Sequence, residues 1–343
     1  MLARLMPVAT RSLRRSRRLL GQTPSSLSES LEPAKKKQLK APCLKREDRK
    51  RHPVAPEQLW KEHETEARSC PTKLSELLAQ NSELTWKHGT LSRDFEREKL
   101  TSEDIEEEKK DGVAYVFGVD EAGRGPLAGP VVAAACYVPL ELDIKGIHDS
   151  KKLNETQREH LFALLTSHPR IKYAISVVDN YDIDDMDILQ ATFHAMRESS
   201  ASLNATLRNE SDDSNSEETS SSAMALIDGN KVPPDMCVPA ECVIKGDSKV
   251  FCIAAASVIA KVWRDRIMDV YHEKWPVFNF GTNRGYPTAA HRALLKKEGP
   301  TDVHRISFAP LRTMYPTLLS DAYHERVAKK NAGKKKRKTK KQA

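Results

Sequence analysis

The apolar runs of this chain of 343 residues begin abruptly at Tyr115. Before that point leucines are scattered among charges and prolines. From there on, short β-rich runs follow one another: Tyr115–Val119, Pro130–Val138, Ile171–Val178, Met224–Ile227 and Cys242–Ile244. Runs of this length, rich in Val, Ile and Tyr and bounded by Gly, Pro or Asp, read as strands. Helices are expected over Asn154–Ser167, Asp182–Ser199, Val250–Trp275, Ala289–Lys297 and Tyr315–Val327. The acids Asp182, Asp184 and Asp185 suit the start of the second of these. Strands first, then strands mixed with helices, give an α/β domain over about 113–325 with a helical C-terminal extension.

The flanks are of a different kind. Residues 1–52 hold 15 Lys/Arg against 4 Asp/Glu, and residues 325–343 hold 10 against one, so the net charge of +8 hides an acidic body of −12 over 53–324. Basic ends point to a polyanion partner or a targeting receptor. An acidic body that handles nucleic acid needs cations to offset its own charge. Residues 1–28 carry six arginines, no acid and interleaved leucines, the composition of a mitochondrial transit peptide, with a nucleic-acid-binding arm as the alternative. Residues 29–112 read as a basic linker and a charged helical extension, with Asp94–Lys110 as a solvated helix. Residues 205–222 are Ser- and acid-rich and read as a disordered insertion, and 326–343 as a Lys-rich tail. The tail fits DNA contact or, alternatively, a nuclear address. We therefore expect a mitochondrial location, with the nucleus as the alternative.

Several classes are excluded. No run of about 18 apolar residues occurs, so no spanning helix is expected. The six cysteines contain no C-x-x-C pair, which argues against zinc ribbons and thioredoxin chemistry. His291 and His304 stand alone in sequence and read as structural.

What remains is a set of acids in one local setting. Asp120 closes a run before a Gly-rich turn, with Glu121 beside it. Asp228 closes another before Gly229, and Asp247 follows Gly246. Acids at the carboxyl ends of neighbouring strands converge on one crevice. Converging carboxylates repel unless cations lie among them, and an oxygen-only set favours Mg²⁺ or Mn²⁺ over zinc. Each acid taken alone reads more readily as a turn cap beside a glycine; it is the set that points to a metal site.

The stretch Gly118-Val-Asp-Glu-Ala-Gly-Arg-Gly-Pro-Leu-Ala-Gly-Pro130 resembles the opening signature of the type 2 ribonucleases H, the ribonuclease HII family. Further matches follow in order: Asp149-Ser-Lys-Lys-Leu153, Leu226-Ile-Asp-Gly-Asn230, Lys245-Gly-Asp-Ser248, Ala254–Val262 with Arg264-Asp265, Gly285-Tyr-Pro-Thr288 and His304-Arg-Ile-Ser-Phe308. The resemblance covers about 113–315 and is nearest the single-chain bacterial type.

It implies a ribonuclease H-like fold, a mixed central sheet flanked by helices. It implies hydrolysis of the RNA strand of RNA–DNA hybrids and incision at ribonucleotides embedded in duplex DNA, by two metal ions, Mg²⁺ or Mn²⁺, leaving 5′-phosphate and 3′-hydroxyl ends. The metal-site carboxylates fall on Asp120, Glu121, Asp228 and Asp247, with Asp120 the candidate for a shared ligand. Gly123, Arg124, Gly125 and Tyr286 fall on substrate-reading positions, and Lys151 and Lys152 are candidates for backbone phosphates. Glycines at 123 and 125 would let the backbone approach a sugar. A monomer without obligatory accessory subunits or a membrane is expected. The alternatives are a silent nucleic-acid-binding scaffold and another two-metal nuclease of related fold, such as a junction resolvase.

Overall fold

The computed structural model describes residues 49, 71–100, 114–211 and 222–342. Five strands, β1 (Ala114–Ala122), β2 (Val131–Tyr137), β3 (Lys172–Val178), β4 (Ser222–Asp228) and β5 (Ala240–Val243), form one sheet of order β3-β2-β1-β4-β5. The β1–β2 and β2–β3 pairs are antiparallel; the β1–β4 and β4–β5 pairs are parallel. The sheet is therefore mixed, with β1 at its centre.

The helices in chain order are α1 (Pro71–Glu83), α2 (Asp94–Lys99), α3 (Glu155–Ser167), α4 (Asn180–Met186), α5 (Ile188–Ser211), α6 (Phe251–Lys274), α7 (Phe280–Asn283), α8 (Ala289–Glu298), α9 (Leu311–Met314) and α10 (Asp321–Gln342). The period of two along each strand sorts residues between two helical layers. Phe117 and Val119 of β1 and Ala133 and Ala135 of β2 pack towards α5. Val132, Ala134 and Cys136 of β2 pack towards α6 and α3. Val116 of β1 and Leu226 of β4 meet Ile253 on the α6 side.

Helix α6 lies very close to the sheet. Its first turns read Cys-Ile-Ala-Ala-Ala-Ser, and a Cβ at Gly118 would overlap the Cys252 backbone. Small residues on both elements bring backbone against backbone. Gly118 shares a strand face with Asp120, so this contact sets how far Asp120 stands from the helix.

Three expectations need correction. The helix expected over Asp182–Ser199 is two helices, broken at Asp187 with φ 74°. The caps are Asp179, which accepts from the Tyr181 and Asp182 amides, and Asp187, which accepts from those of Leu189 and Gln190. The disordered insertion expected over 205–222 is helical through Ser211, because Leu203 and Leu207 continue the buried stripe of α5. Ser222 already belongs to β4, and 212–221 lie outside the described residues. The segment ahead of β1 is not merely solvated. Asn81 exchanges hydrogen bonds with the Lys145 backbone at 3.0 and 2.9 Å, and Trp86 packs over Gly146. Arg93 donates to the Val138 and Pro139 carbonyls, and Glu96 is fully buried, accepting from the Cys252 amide at the start of α6. Only Asp94–Lys99 of the expected Asp94–Lys110 helix is described as one. The expected transit segment 1–28 lies outside the described residues.

Candidate active site

Parallel pairing of β1, β4 and β5 lines up their carboxyl ends. Val119 is in register with Ile227, and Asp228 with Val243. Asp120 and Asp228 thus close neighbouring strands, and Asp247 follows β5 in a tight 3₁₀ turn, Gly246–Ser248. Lys245, in the left-handed region at φ 57°, makes that turn. One carboxylate oxygen from each of Asp120, Asp228 and Asp247 lies within 4.8 Å of the other two.

Glu121 is not in that trio. Next to Asp120 on the same strand, it leaves from the opposite side of the pleat. Its carboxylate accepts from Arg124 Nη1 at 3.0 Å and still lines the cleft.

Two members of the trio, Asp120 and Asp228, are held above the ordinary carboxylate range. Burial, reinforced by the charges of Glu121, Asp228 and Asp247, pushes the Asp120 carboxyl well above the ordinary range, against a hydrogen bond from the Glu121 amide. Burial and then Asp247 raise Asp228, although Gly246 N donates to its Oδ1 at 2.7 Å. Burial raises Glu121 too, opposed by the Arg124 charge. Lys151 reaches Asp247 Oδ2 at 3.1 Å. Burial works against that ammonium, but its hydrogen bond to Asp247 and the charges of Asp247, Asp149 and Asp120 outweigh it and hold it above the ordinary lysine range. Converging oxygens that resist ionising together are a donor set for a hard divalent cation. The residues present fit such an ion.

The cleft beside them, about 230 Å³, is lined by Gly123, Arg124, Gly125, Lys151 and Tyr286 as well as Asp120, Glu121 and Asp228. Ser150, Ser257, Lys261 and Arg264 also line it, and none of these had been singled out for the site. The spacing of Ser257, Lys261 and Arg264 by four and three puts them on one face of α6. Lys152 is exposed and lies outside the lining.

The two glycines differ. Gly123 has φ 99°, and a Cβ there would strike Arg264, so this glycine answers to packing from below. At Gly125 a Cβ would meet only the Tyr286 ring, at 3.6 Å. Gly123 is therefore required by packing, whereas the space beside Gly125 is bounded by the Tyr286 ring. Tyr286 is 44% exposed, with Arg264 5.9 Å beneath its ring. The isolated histidines of the sequence reading are not isolated: His291 and His304 meet at 2.9 Å, Nε2 to Nε2. The fold brings together residues 13 apart that no local pattern links.

An oxygen trio at the ends of parallel strands, two of its three residues buried, thus lies beside a cleft walled by cations and an exposed tyrosine, an arrangement suited to a divalent ion and a polyanion. The model of the Ribonuclease HII family matches residues 117–311. The ribonuclease HII of Chlamydia caviae is 42% identical over 224 residues, 65% of this chain and 98% of that protein. That of Dechloromonas aromatica is 44% identical over 199 residues, 58% and 93% respectively. Among solved structures, the ribonuclease H2 of Pyrococcus horikoshii shares 26% identity at a TM-score of 0.45, covering 60% of this chain and 98% of that one. The chain belongs to the ribonuclease HII family: it is a type 2 ribonuclease H, a hydrolase of a family that depends on divalent metal and acts on the RNA strand of RNA–DNA hybrids. No helix among the described residues is long and apolar enough to cross a membrane.

The comparisons overturn the expected address. The matched relatives are proteins of bacteria, cells with neither mitochondrion nor nucleus. An Arg-rich, acid-free start and a Lys-rich end follow from many basic segments, so composition alone misled.

Proposed function

We propose that this enzyme incises at ribonucleotides embedded in duplex DNA as well as within RNA–DNA hybrids, with two divalent ions, leaving a 5′-phosphate and a 3′-hydroxyl. The observation that carries the reading is the trio of carboxylate oxygens within 4.8 Å beside a cleft lined by Tyr286. Asp120 feels the charges of all three other acids; together with Asp228 and Asp247 it would hold the ions, and Glu121 would join them directly or through water. Mg²⁺ or Mn²⁺ held there would offset the charge building on the scissile phosphate and lower the pKa of the attacking water.

The remaining work falls to the chain. Arg124, half exposed, can exchange Glu121 for a substrate phosphate through its planar fork. The Tyr286 ring offers a stacking face to the sugar, and its hydroxyl, with the backbone at Gly125, reads the 2′-hydroxyl, the group that distinguishes RNA from DNA. Lys151 holds Asp247 in place and, with Lys152, meets backbone phosphates. The catalytic unit spans 113–325 with α1 and α2 packed on it, works as a monomer without accessory subunits, and uses 326–343 for DNA contact.

The test is cleavage of a DNA duplex with one embedded ribonucleotide against an all-DNA duplex and a long hybrid. We expect incision of the first and third only. Binding without cleavage of any would mark a silent scaffold, and cleavage of a branched all-DNA junction would mark a resolvase.

A further inference from the structure

Behind the cleft lies a polar arrangement that takes no part in the chemistry above. Arg305 is fully buried, yet among the described residues it meets no carboxylate at hydrogen-bond distance. All its donors go to backbone carbonyls of one loop. Nη2 donates to Gly123 at 2.6 Å and Pro130 at 2.9 Å, Nη1 to Arg124 at 3.1 Å and Pro126 at 3.0 Å, and Nε to Gly129 at 2.8 Å. One side chain therefore fixes the loop that carries Gly123, Arg124 and Gly125.

Its neighbour reaches the other wall. The Tyr286 carbonyl can only accept, so His291 Nδ1, 2.9 Å away, carries the proton. The Nε2 of neutral His291 is then bare, and the donor across the 2.9 Å contact is His304 Nε2. His304 Nδ1 is left bare in turn and accepts from the Thr301 amide at 2.9 Å. Every ring nitrogen has one role, and the protons all point towards Tyr286. The aromatic rings of Phe278 and Phe280 enclose the pair.

We propose that the dipeptide His304-Arg305 is a positioning clamp: Arg305 holds the 123–130 loop, His304 holds Tyr286 through His291, and their adjacency in the chain sets the width of the slot between Gly125 and the tyrosine ring. This rests on the reading of that slot as the place where the ribose is sensed. A slot held from behind by adjacent residues keeps its width without a side chain inside it. A peptide unit links the two anchors, so neither wall moves independently.

The experiment uses the full chain with Arg305→Lys, which keeps charge but loses the fork, and His304→Gln. Three readouts are taken: steady-state kinetics on the duplex with one embedded ribonucleotide, Mn²⁺ binding by electron paramagnetic resonance, and ¹⁵N chemical shifts of the histidine rings. Each variant should bind Mn²⁺ as the parent does, because the carboxylates are untouched. Each should raise KM for the embedded ribonucleotide by at least about tenfold, with a smaller change in kcat. In the parent, His291 should be the Nδ1-H tautomer and His304 the Nε2-H tautomer; in His304→Gln the His291 shifts should move. The clamp is overturned if folded variants keep the parental KM, or if KM and Mn²⁺ binding deteriorate in parallel. It is equally overturned if the parent shows the opposite tautomers. Tyr286→Ala run alongside keeps the two ideas apart: parental KM in that variant removes the ribose-reading role, while the tautomers still report on the clamp. Should Arg305→Lys fail to fold, His304→Gln and the parental spectrum decide alone.

Discussion

Two sets of buried charges lie near the cleft and differ in their partners. In one are Asp120 and Asp247, 4% and 6% exposed, with the half-buried Asp228. In the other are Arg264 and Arg305, 1% and 0% exposed. Arg305 is satisfied internally through every N–H, and Arg264 is held through Nε and Nη2. Arg264 donates to the carbonyls of Pro130, Ala128 and Arg284, and Arg305 to five more bonds. The acids have few donors and mostly one another for company. A buried charge held by backbone carbonyls is framework; a cluster of like charges marks a candidate functional site. The comparison separates structure from chemistry without reference to motif.

On this distinction the arginines govern stability and the acids activity. The largest effect should come from Arg264→Met. Removing the guanidinium orphans two or three buried carbonyls at about 1–3 kcal/mol each. Urea unfolding should show a loss of about 3 kcal/mol or more; a loss under about 1 kcal/mol would break the framework half of the comparison.

Asp120→Asn should do the reverse. Cleavage should fall at least about 100-fold, close to 2.7 kcal/mol of barrier. The melting temperature should hold or rise, because one of several repelling carboxylates is gone. Added Mn²⁺ should raise the melting temperature of the parent and not that of Asp120→Asn. Near-parental turnover by a folded Asp120→Asn protein would remove the metal-site half.

A pH series sharpens the same contrast. Burial, then the charges of His291 and Arg49, lower the His304 pKa well below its ordinary value, and burial lowers His291. The unfolded rings take up protons below about pH 6.5, where the folded ones do not. Stability is thus complete above that pH and falls as pH drops through it, by about 1.4 kcal/mol per unit for each proton taken up on unfolding. His304→Gln should flatten the slope between pH 7 and 5 relative to the parent. An unchanged slope would assign the acid sensitivity elsewhere.

The smallest effects concern the two lysines. Lys152→Ala should leave stability within about 0.5 kcal/mol and kcat nearly unchanged, since its side chain is exposed and outside the cleft lining, and should raise KM slightly through the lost phosphate contact. Lys151→Ala removes the cation on Asp247 and should shift the Mg²⁺ dependence of cleavage measurably. Equal behaviour of the two would show that the contact with Asp247 is idle.

Much of this was legible before any coordinates. The β-rich runs ending in Asp120 and Asp228 lie within two residues of the observed strand ends, because alternation and Gly turns are local signals. The break at Asp187 is not legible, because a helix break by a single non-glycine residue at positive φ leaves no compositional trace. The helix through Ser211 runs into a Ser- and Asp-rich composition, and only the spacing of four between Leu203 and Leu207 marks its buried face. The burial of Glu96 was hidden in a run of mixed charge that looks solvated in isolation.

The sequence by itself determined the acids, their oxygen-only character, the glycine turns and the periodicity that builds sheet and helices, since each depends on neighbours a few residues away. The tertiary structure alone decided which acids meet. It set Asp120 with Asp228 and Asp247 and left Glu121 to Arg124, because a pleated strand sends adjacent side chains to opposite faces. It also decided that Arg305 finds Gly123, 182 residues away, and that His304 finds His291. A buried polar group must find partners wherever the fold supplies them, and the carbonyls that answer Arg305 carry no signal in the sequence, because every residue has one.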